Sequence, residues 1–288
     1  MRRSGWRLLG ALGFAAAGWL GACAPESPPA RGSATGRAAD PASRIVSFVP
    51  GATDILLGLD PDADRFVGRV TGDDARLGHL PSIGGVLRPS LEALAAVAPD
   101  LVVTWSGADT VDLRRAVGRD GRIVVVELDG LSDVLAAVDA FGAHLGELER
   151  ARAISRGLRA DARRLAAELS DAPSVPALWV VGAEPLTVAG AGTFIDELLS
   201  AAGGANVMRT DEGAWPQPSR EVLAVREFEV IIAPLDLDLP DLGVDATPVI
   251  RIDPGRFHVA GRHVVQAARE LAGAFQPFRL PPHGVRRD

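Results

Sequence analysis

The stretch GELERARAISRGLRADARRLAAEL, residues 146–169, is the longest segment of the chain with a helical pattern. Apolar residues recur along it at helical spacing, and arginines and carboxylates fill the positions between them, which predicts an amphipathic helix with one apolar stripe. Gly146 is the first residue of the stretch, just ahead of the helical pattern, and Pro173 follows it, as is typical of helix boundaries. The stripe consists of Leu148, Ala151, Ile154 or Ser155, Leu158, Ala162, Leu165 and Leu169.

This helix is expected to join two lobes. A helix of ~23 residues is about 35 Å long, which is comparable to the diameter of a small domain. It lies near the middle of the chain, with strands and helices alternating on both sides. We therefore predict an N-terminal lobe over residues 44–145, an interlobe helix over 146–172 and a C-terminal lobe over 173–288. The alternative is one long helix packed on the sheet of a single domain.

The alternation of strands and helices predicts an α/β fold with mainly parallel sheets, covered by helices on both faces. In the first half, the predicted strands are 45–49, 66–68, 101–105 and 123–128, and the predicted helices are 50–57, 90–97, one from about 111, and 131–143. In the second half, the predicted strands are 177–181, 229–233 and 249–253, and the predicted helices are 193–202 and 261–275.

An internal repeat supports the division into two lobes. Residues 89–103 align without gaps on residues 218–232, and the two segments share Pro, Ser, Glu, Leu and Ala at matching positions. Each is predicted to be a helix followed by a strand. The separation is too long for a solenoid repeat, so two duplicated Rossmann-like lobes explain it better.

The overall composition excludes several kinds of protein. The chain has 288 residues, of which 47% are hydrophobic, and a formal net charge of −7; it contains no Tyr and no Lys. This balance does not suggest nucleic-acid binding or a basic membrane-binding face. A lone cysteine, Cys23, excludes an internal disulfide framework and a Cys-rich zinc site.

The N-terminus has the pattern of an export signal. Arg2, Arg3 and Arg7 precede the apolar run 8–22, which is short for a membrane span. The run ends in Leu-Gly-Ala-Cys, which resembles the lipobox of bacterial lipoproteins. We therefore expect residues 1–22 to be a signal peptide and Cys23 to be acylated, so that the protein is exported and lipid-anchored. The alternative is an ordinary cleaved signal. Residues 23–43, rich in Pro, Ala, Gly and Ser, are predicted to be a flexible tether.

A ligand site is expected between the lobes. Ligands of open α/β sheets bind beyond the carboxyl ends of the strands, and domain interfaces are favoured pocket sites. Trp215 lies in a stretch without helical or strand period, which favours a loop-borne contact over a core position, whereas Trp179, inside a strand, is predicted to be core. The residues at the ends of predicted strands or just after them are Pro50, Gly51, Trp105, residues 182–184 and Asp253.

Several motifs resemble the helical-backbone (class III) substrate-binding proteins of ABC importers, which bind cobalamin, haem and ferric siderophores. The resemblance covers essentially all of residues 44–275, and the stretch 215–221 is most similar to the cobalamin-binding members. The motifs are Arg-Ile-Val-Ser at 44–47, Pro-Asp-Leu-Val-Val at 99–103, Thr-Phe-Ile-Asp-Glu-Leu-Leu at 193–199 with Gly-Gly-Ala-Asn at 203–206, and Trp-Pro-Gln-Pro-Ser-Arg-Glu at 215–221.

The resemblance implies specific roles. Trp105, Trp215 and Asp253 line the cleft, and Glu92 and Glu221 dock onto arginines of a permease dimer, which works with its ATPase. We add Pro50, Gly51, Arg256 and Phe257 as candidate ligand contacts. No cofactor is implied beyond the ligand, which we expect to be a metal-containing corrinoid or chelate. The chain departs from the cobalamin binders in two places: Gly84-Gly85 replaces an aromatic residue, and residues 253–257 replace an Asp-Trp-Phe segment.

Other functions leave weaker signals. A haem ligand, in a chain without tyrosine, would have to be a histidine such as His79 or His258, and both are also compatible with solvated loops. Five scattered histidines are weak support for a metal-ion site. The chain has no Gly-x-Ser-x-Gly elbow, P-loop or His-Glu-x-x-His motif, so no enzymatic activity is predicted. A structural or adhesive lipoprotein without transport function is the alternative from another class.

Overall fold

The computed structural model describes residues 40–209, 213–244, 247–257 and 259–279. The predicted signal peptide, Cys23 and His258 lie outside these residues. The first lobe contains β1 (Ile45–Ser47), α1 (Pro50–Leu59), a short 3-10 helix (Ala75–Leu77), α2 (Leu91–Ala96), β2 (Leu101–Trp105), α3 (Thr110–Val117), β3 (Arg122–Val126) and α4 (Leu131–Leu145). No helix of the described residues is both long enough and apolar enough to cross a membrane.

The sheet of the first lobe is parallel, with the strand order β1-β2-β3. Its strands are apolar on both faces because helices cover both sides. In β2, Leu101 and Val103 join one buried cluster while Val102, between them, joins another. This alternation places two hydrophobic layers around one three-stranded sheet.

The interlobe helix α5 (Leu148–Glu168) is shorter at both ends than the predicted segment 146–172. Gly146 ends α4 rather than starting α5: it adopts a left-handed conformation with φ 75°, which glycine accommodates without steric cost. The buried residues of α5 are Ala151, Ser155, Leu158, Ala162 and Leu165, which is the predicted stripe with Ser155 rather than Ile154 on its buried side.

The second lobe contains β4 (Val175–Ala183), β5 (Leu186–Val188), α6 (Phe194–Ala201), β6 (Gly204–Asn206), α7 (Arg220–Ala224), β7 (Val230–Pro234), β8 (Val249–Ile252), α8 (Pro254–Phe257), α9 (Val264–Ala274) and α10 (Gln276–Arg279). The main strand order is β5-β4-β7-β8, and β6 pairs with the start of β4. All pairs are parallel except β4 with β5. The α/β fold with two mainly parallel sheets is therefore confirmed.

The prediction of a strand at residues 66–68 is wrong. Phe66 makes a single parallel bridge to Ile45, and the chain then turns so that Arg69 bridges to Ser82 instead. Because its backbone changes partner after a single pair, the segment does not extend the ladder of β1.

The internal repeat corresponds to equivalent structural units. Leu94 of α2 and Leu223 of α7 are both fully buried, and each packs beside a strand residue from the same repeat, Val102 and Ile231 respectively. The hydroxyl of Ser90 accepts a hydrogen bond from the Ala93 amide (3.2 Å) and caps α2. Ser219 occupies the same position at α7 without a side-chain capping bond.

The largest hydrophobic core belongs to both lobes. It contains Ile45 of β1, residues of α1 and α4, the buried stripe of α5, Trp179 of β4 and the buried face of α9. Two smaller clusters cover the outer faces of the two sheets. The lobes thus share one hydrophobic interior through α1, α4, α5 and α9.

Candidate functional site

The cleft between the lobes begins at the carboxyl ends of the first sheet. β1 leads into Pro50, β2 ends at Trp105, and β3 is followed by residues 127–129. These strand ends line a cavity of about 320 Å³, which we call the Trp105 cavity. The other lining residues are Val49, Gly51, Ser106, Val126, Leu128, Val259 and Ala260, of which Val259 and Ala260 come from the second lobe.

Gly51 shows how closely the lobes approach each other here. It lies in the first turn of α1 and is buried. A Cβ atom at this position would lie 2.0 Å from the carbonyl oxygen of Ala260. Only glycine permits this packing, so Gly51 lets the second lobe lie directly against the start of α1.

Trp215 lines a neighbouring cavity of about 550 Å³, which we call the Trp215 cavity. Its backbone is fixed because the flanking carbonyls of Ala214 and Pro216 accept hydrogen bonds from the amides of Gly190 (2.9 Å) and Val188 (3.0 Å). The side chain of Trp215 is 53% exposed, whereas Trp179 is fully buried. Asp129 lines both this cavity and the Trp105 cavity, so the two cavities adjoin, and each of them is lined by one tryptophan.

A third cavity, of about 640 Å³, continues the cleft on the other side; we call it the Asp253 cavity. It shares Pro50 and Val259 with the Trp105 cavity. Asp253 follows β8, and its carboxylate accepts a hydrogen bond from the Gly255 amide (2.9 Å). The remaining polar and charged residues that line it are Thr53, Asp54, Asp73, Asp74, Arg76, Arg256, His263 and Gln266.

An ion pair joins the lobes beside this cavity. The backbone amide and the guanidinium of Arg262, from the second lobe, donate to the carboxylate of Asp54 in α1 at 2.6 and 3.0 Å. The Arg262 Nε also donates to the Asp54 carbonyl oxygen (2.7 Å), and His263 Nε2 lies 3.4 Å from the same carboxylate. This cluster holds α1 against the segment that precedes α9.

A fourth cavity, of about 770 Å³, lies between α4, α5 and α6; we call it the Arg159 cavity. Here the carboxylate of Glu197, in α6, accepts a hydrogen bond from the Leu131 amide at the start of α4 (3.0 Å). Burial raises the pKa of Glu197, and the neighbouring carboxylates of Asp133, Asp196 and Asp129 raise it further. Glu197 thus supplies an acceptor to a helix of the other lobe, since α4 has no side-chain cap of its own.

Two acids of the cleft also have shifted pKa values. Burial raises the pKa of Asp73, although the amides of Asp74 and Val70 donate to its carboxylate. Partial burial raises the pKa of Asp129, and the charges of Asp133 and Glu127 add to this shift. Neither carboxylate has an ion-pair partner among the residues that the structure describes, so the loss of hydration is the largest cause of both shifts.

The structure brings most of the predicted contact residues to this cleft. Pro50, Gly51 and Trp105 line one cavity, Trp215 the next, and Asp253 and Arg256 the third. Phe257 is different: it is buried in the shared core rather than in a cavity wall, because α8 turns its ring inward.

The predicted docking glutamates lie outside these cavities. Glu92 and Glu221 are exposed, each in the first turn of its helix. A hydrogen bond from the Ser219 hydroxyl lowers the pKa of Glu221. His79 is an exposed residue whose Nδ1 lies 3.0 Å from the Arg76 carbonyl oxygen. Within the described part of the chain, no group of three or more His, Cys, Asp or Glu could hold a metal ion.

Sequence reasoning missed Asp129, Glu197 and His263 as cleft residues. Asp129 could have been found, because it follows a predicted strand just as Asp253 does. Glu197 and His263 could not, because each acts on the lobe opposite to its own, and no local pattern reports such a contact.

A comparison with protein families gives a match over residues 45–234 to the periplasmic binding protein family. Among curated proteins, the vitamin B12-binding protein of Salmonella typhimurium is 22% identical over 242 residues, covering 81% of this chain and 90% of that protein. That of Yersinia pestis strain Pestoides F is 24% identical over 260 residues, covering 84% and 90%.

Solved structures show the same fold. The periplasmic vitamin B12-binding protein BtuF of Vibrio cholerae has a TM-score of 0.71 at 18% identity, covering 81% of this chain and 96% of that one. A periplasmic haem-binding protein of Pseudomonas aeruginosa has a TM-score of 0.70 at 23% identity, covering 83% and 95%. The family match spans well over half of the sequence, and the relatives are transport proteins rather than enzymes. The chain therefore belongs to the periplasmic binding protein family and is an exported substrate-binding protein of an ABC importer.

Proposed function

We propose that this protein captures a corrinoid, with cobalamin as the best candidate, in the cleft between Trp105 and Trp215. The observation that carries the proposal is that Trp105 and Trp215 line adjoining cavities, which share Asp129. Large aromatic rings provide much apolar contact area at a low entropic cost, which suits a flat macrocycle. The curated relatives named as vitamin B12-binding proteins support the same ligand class.

Ligand titration tests this proposal directly. The chain contains no tyrosine, so its fluorescence reports tryptophan alone. We expect cyanocobalamin to quench the fluorescence of the purified protein saturably. Trp215→Ala should weaken binding at least about tenfold, because an exposed ring of this size contributes contact area and stacking. Val225→Ala is the matched control, since Val225 is 82% exposed and lines none of the four cavities.

Haem is the second candidate, because a haem-binding protein shares the fold at a similar TM-score. Haem and ferric siderophores therefore belong in the same titration. Saturable binding of haem with no response to cyanocobalamin would replace the corrinoid assignment. Saturable binding of zinc or manganese alone would contradict both candidates.

We further propose that the protein is held at the membrane by acylation of Cys23. The support is the Leu-Gly-Ala-Cys sequence at the end of the apolar run. More than one acyl chain gives stable anchoring, where a single chain gives only reversible binding. Cys23→Ser should release the protein from the membrane fraction or leave its signal unprocessed. Normal processing with full membrane retention in that variant would rule out the anchor.

A further inference from the structure

The arginines that line the Asp253 cavity are already paired with carboxylates. Arg76 binds Asp74 through two hydrogen bonds, at 2.9 and 3.0 Å. The guanidinium of Arg256 contacts the carboxylate of Glu270 in α9. Asp54 is likewise neutralised by Arg262. None of these charges is left over for a ligand.

Two carboxylates of the same wall are not neutralised. Asp73 accepts backbone hydrogen bonds from Asp74 (3.1 Å) and Val70 (3.4 Å), and Asp253 accepts one from Gly255 (2.9 Å). Over the described ranges of the chain, no basic side chain lies within ion-pair distance of either carboxylate. The cleft wall therefore keeps an excess of negative charge.

The adjoining Trp105 cavity has the same character. Its charged lining residues are Glu127 and Asp129, and no arginine or histidine of the described residues lines it. Arginines without an ion-pair partner among the described residues, Arg159 and Arg163, lie in the Arg159 cavity, beside α5. These arginines lie beside four carboxylates of the same cavity, and neither lines the cavity that contains Asp73 and Asp253.

This distribution of charge decides which ligand groups can face the wall. A ligand carboxylate would meet like charges at Asp73 and Asp253, and like charges brought together across an interface cost binding free energy. Recognition of a carboxylate would instead require an arginine whose guanidinium group is free to donate two parallel hydrogen bonds to it. Neutral amides suit the wall, because their N–H groups can donate to the aspartate oxygens.

We propose that Asp73 and Asp253 determine the specificity of this cleft: they accept hydrogen bonds from a macrocycle with neutral amide side chains and reject one with ionised carboxylates. The proposal rests on the proposed function, namely that the cleft binds a flat metal-containing macrocycle. It adds which peripheral groups of the ligand the cleft accepts, and these groups distinguish an amide-bearing corrinoid from a carboxylate-bearing porphyrin.

Derivatives of one ligand test the proposal. The probes are cyanocobalamin and its monocarboxylate derivatives, in each of which one peripheral amide is hydrolysed. We expect at least one derivative to bind about tenfold or more weakly than cyanocobalamin, because its carboxylate faces the wall. In the double variant Asp73→Asn with Asp253→Asn, this difference should shrink to about threefold or less.

Asp236→Asn is the matched control, since Asp236 is exposed and lines none of the four cavities; it should leave the difference unchanged. Equal binding of all the corrinoid probes would overturn the proposal, as would a difference that the double variant preserves. In either case cyanocobalamin would still bind, so the proposed function would stand.

A second pair of probes tests the specificity proposal if the corrinoid assignment itself fails. If haem binds and cyanocobalamin does not, the corrinoid assignment fails, and haem is then compared with its dimethyl ester. Tighter binding of the uncharged ester, lost in the double variant, would support the specificity proposal. Equal or tighter binding of the dianionic haem would overturn it. A cleft that binds neither macrocycle would overturn both proposals.

Discussion

At the scale of single residues, the carboxylate of Glu197 is partly buried, which disfavours its charged form. Its carboxylate accepts the Leu131 amide across the interlobe boundary, and burial raises its pKa above the ordinary value of 4.5. The folded protein therefore binds this proton more tightly than the unfolded chain does. The associated stability is fully present below pH 4.5 and is lost as the pH rises through the raised pKa.

Glu197→Gln tests this linkage. The amide oxygen of glutamine can still accept from Leu131, but it carries no charge. We expect the variant to have a higher Tm than the wild type at pH 7, and the gain to disappear as the pH falls below 4.5. Thermal unfolding followed by circular dichroism from pH 4 to pH 8 measures this difference. A gain that does not change with pH would contradict the assignment to Glu197.

Glu92 and Glu221 give a second prediction at this scale. We predict that they form a matched pair of contacts for the two halves of a permease dimer. In Glu92→Arg with Glu221→Arg, ligand affinity should be unchanged while ligand delivery and ATPase stimulation fall, because the reversed charges oppose the arginines expected on the permease. Transport into cells or vesicles, measured at matched protein levels, is the readout.

The competing explanation for these glutamates is local. A carboxylate in the first turn of a helix interacts favourably with the helix dipole. If that were their whole role, the double variant would lose a little stability and transport normally. Glu227→Arg is the control, since Glu227 is exposed just beyond α7 and aligns with an alanine, Ala98, in the other copy of the repeat.

At the scale of elements, α5 contacts both lobes. On one side Ser155 donates to Asp139 of α4 (3.0 Å), and on the other Glu168 pairs with Arg269 of α9. Between these contacts the buried stripe enters the shared core. The helix is therefore an integral wall of both lobes rather than a tether between them.

Leu158→Ala measures what this packing contributes. Leu158 is buried in the stripe of α5, at 8% exposure. Removing a buried leucine side chain and leaving a cavity should cost ~2–5 kcal/mol of unfolding free energy. Arg156→Ala, on the exposed face of the same helix, should change stability by less than ~0.5 kcal/mol. Urea unfolding of both variants gives the comparison, and equal values would argue against a buried stripe.

Prediction from sequence succeeded for elements whose signal is local. The strand Leu101–Trp105 was predicted with its observed bounds because a β-branched run buried on both faces has a strong pattern. β5 and β6 were not predicted, because each has three residues and forms only by pairing with β4. In the site, strand ends predicted Trp105 and Asp253, whereas the pairing of Asp54 with Arg262 joins residues 208 positions apart.

At the scale of the whole molecule, we predict that ligand binding moves the lobes only slightly. A continuous helix resists bending more than extended hinge strands do, because bending strains its hydrogen bonds. Arg262 with Asp54, and Glu197 with Leu131, add polar links on other parts of the interlobe boundary.

Small-angle scattering checks this prediction with and without saturating cyanocobalamin. The two profiles and radii of gyration should nearly coincide. A clear decrease in the radius of gyration on binding, as in hinge-closing binding proteins, would contradict it. Asp54→Asn offers a useful comparison, because it weakens one link and leaves α5 intact.

The hydrophobic core that runs from β1 through α1, α4 and α5 to α9 has a consequence for how the protein loses its structure. Neither half can come apart without exposing the apolar surface of the other, so the boundary between lobes is not a boundary between folding units. Calorimetry should show one all-or-none heat absorption peak, with equal calorimetric and van't Hoff enthalpies. A gene that encodes residues 44–145 alone should yield an unstructured polypeptide, because the largest hydrophobic core of this lobe continues into the rest of the chain.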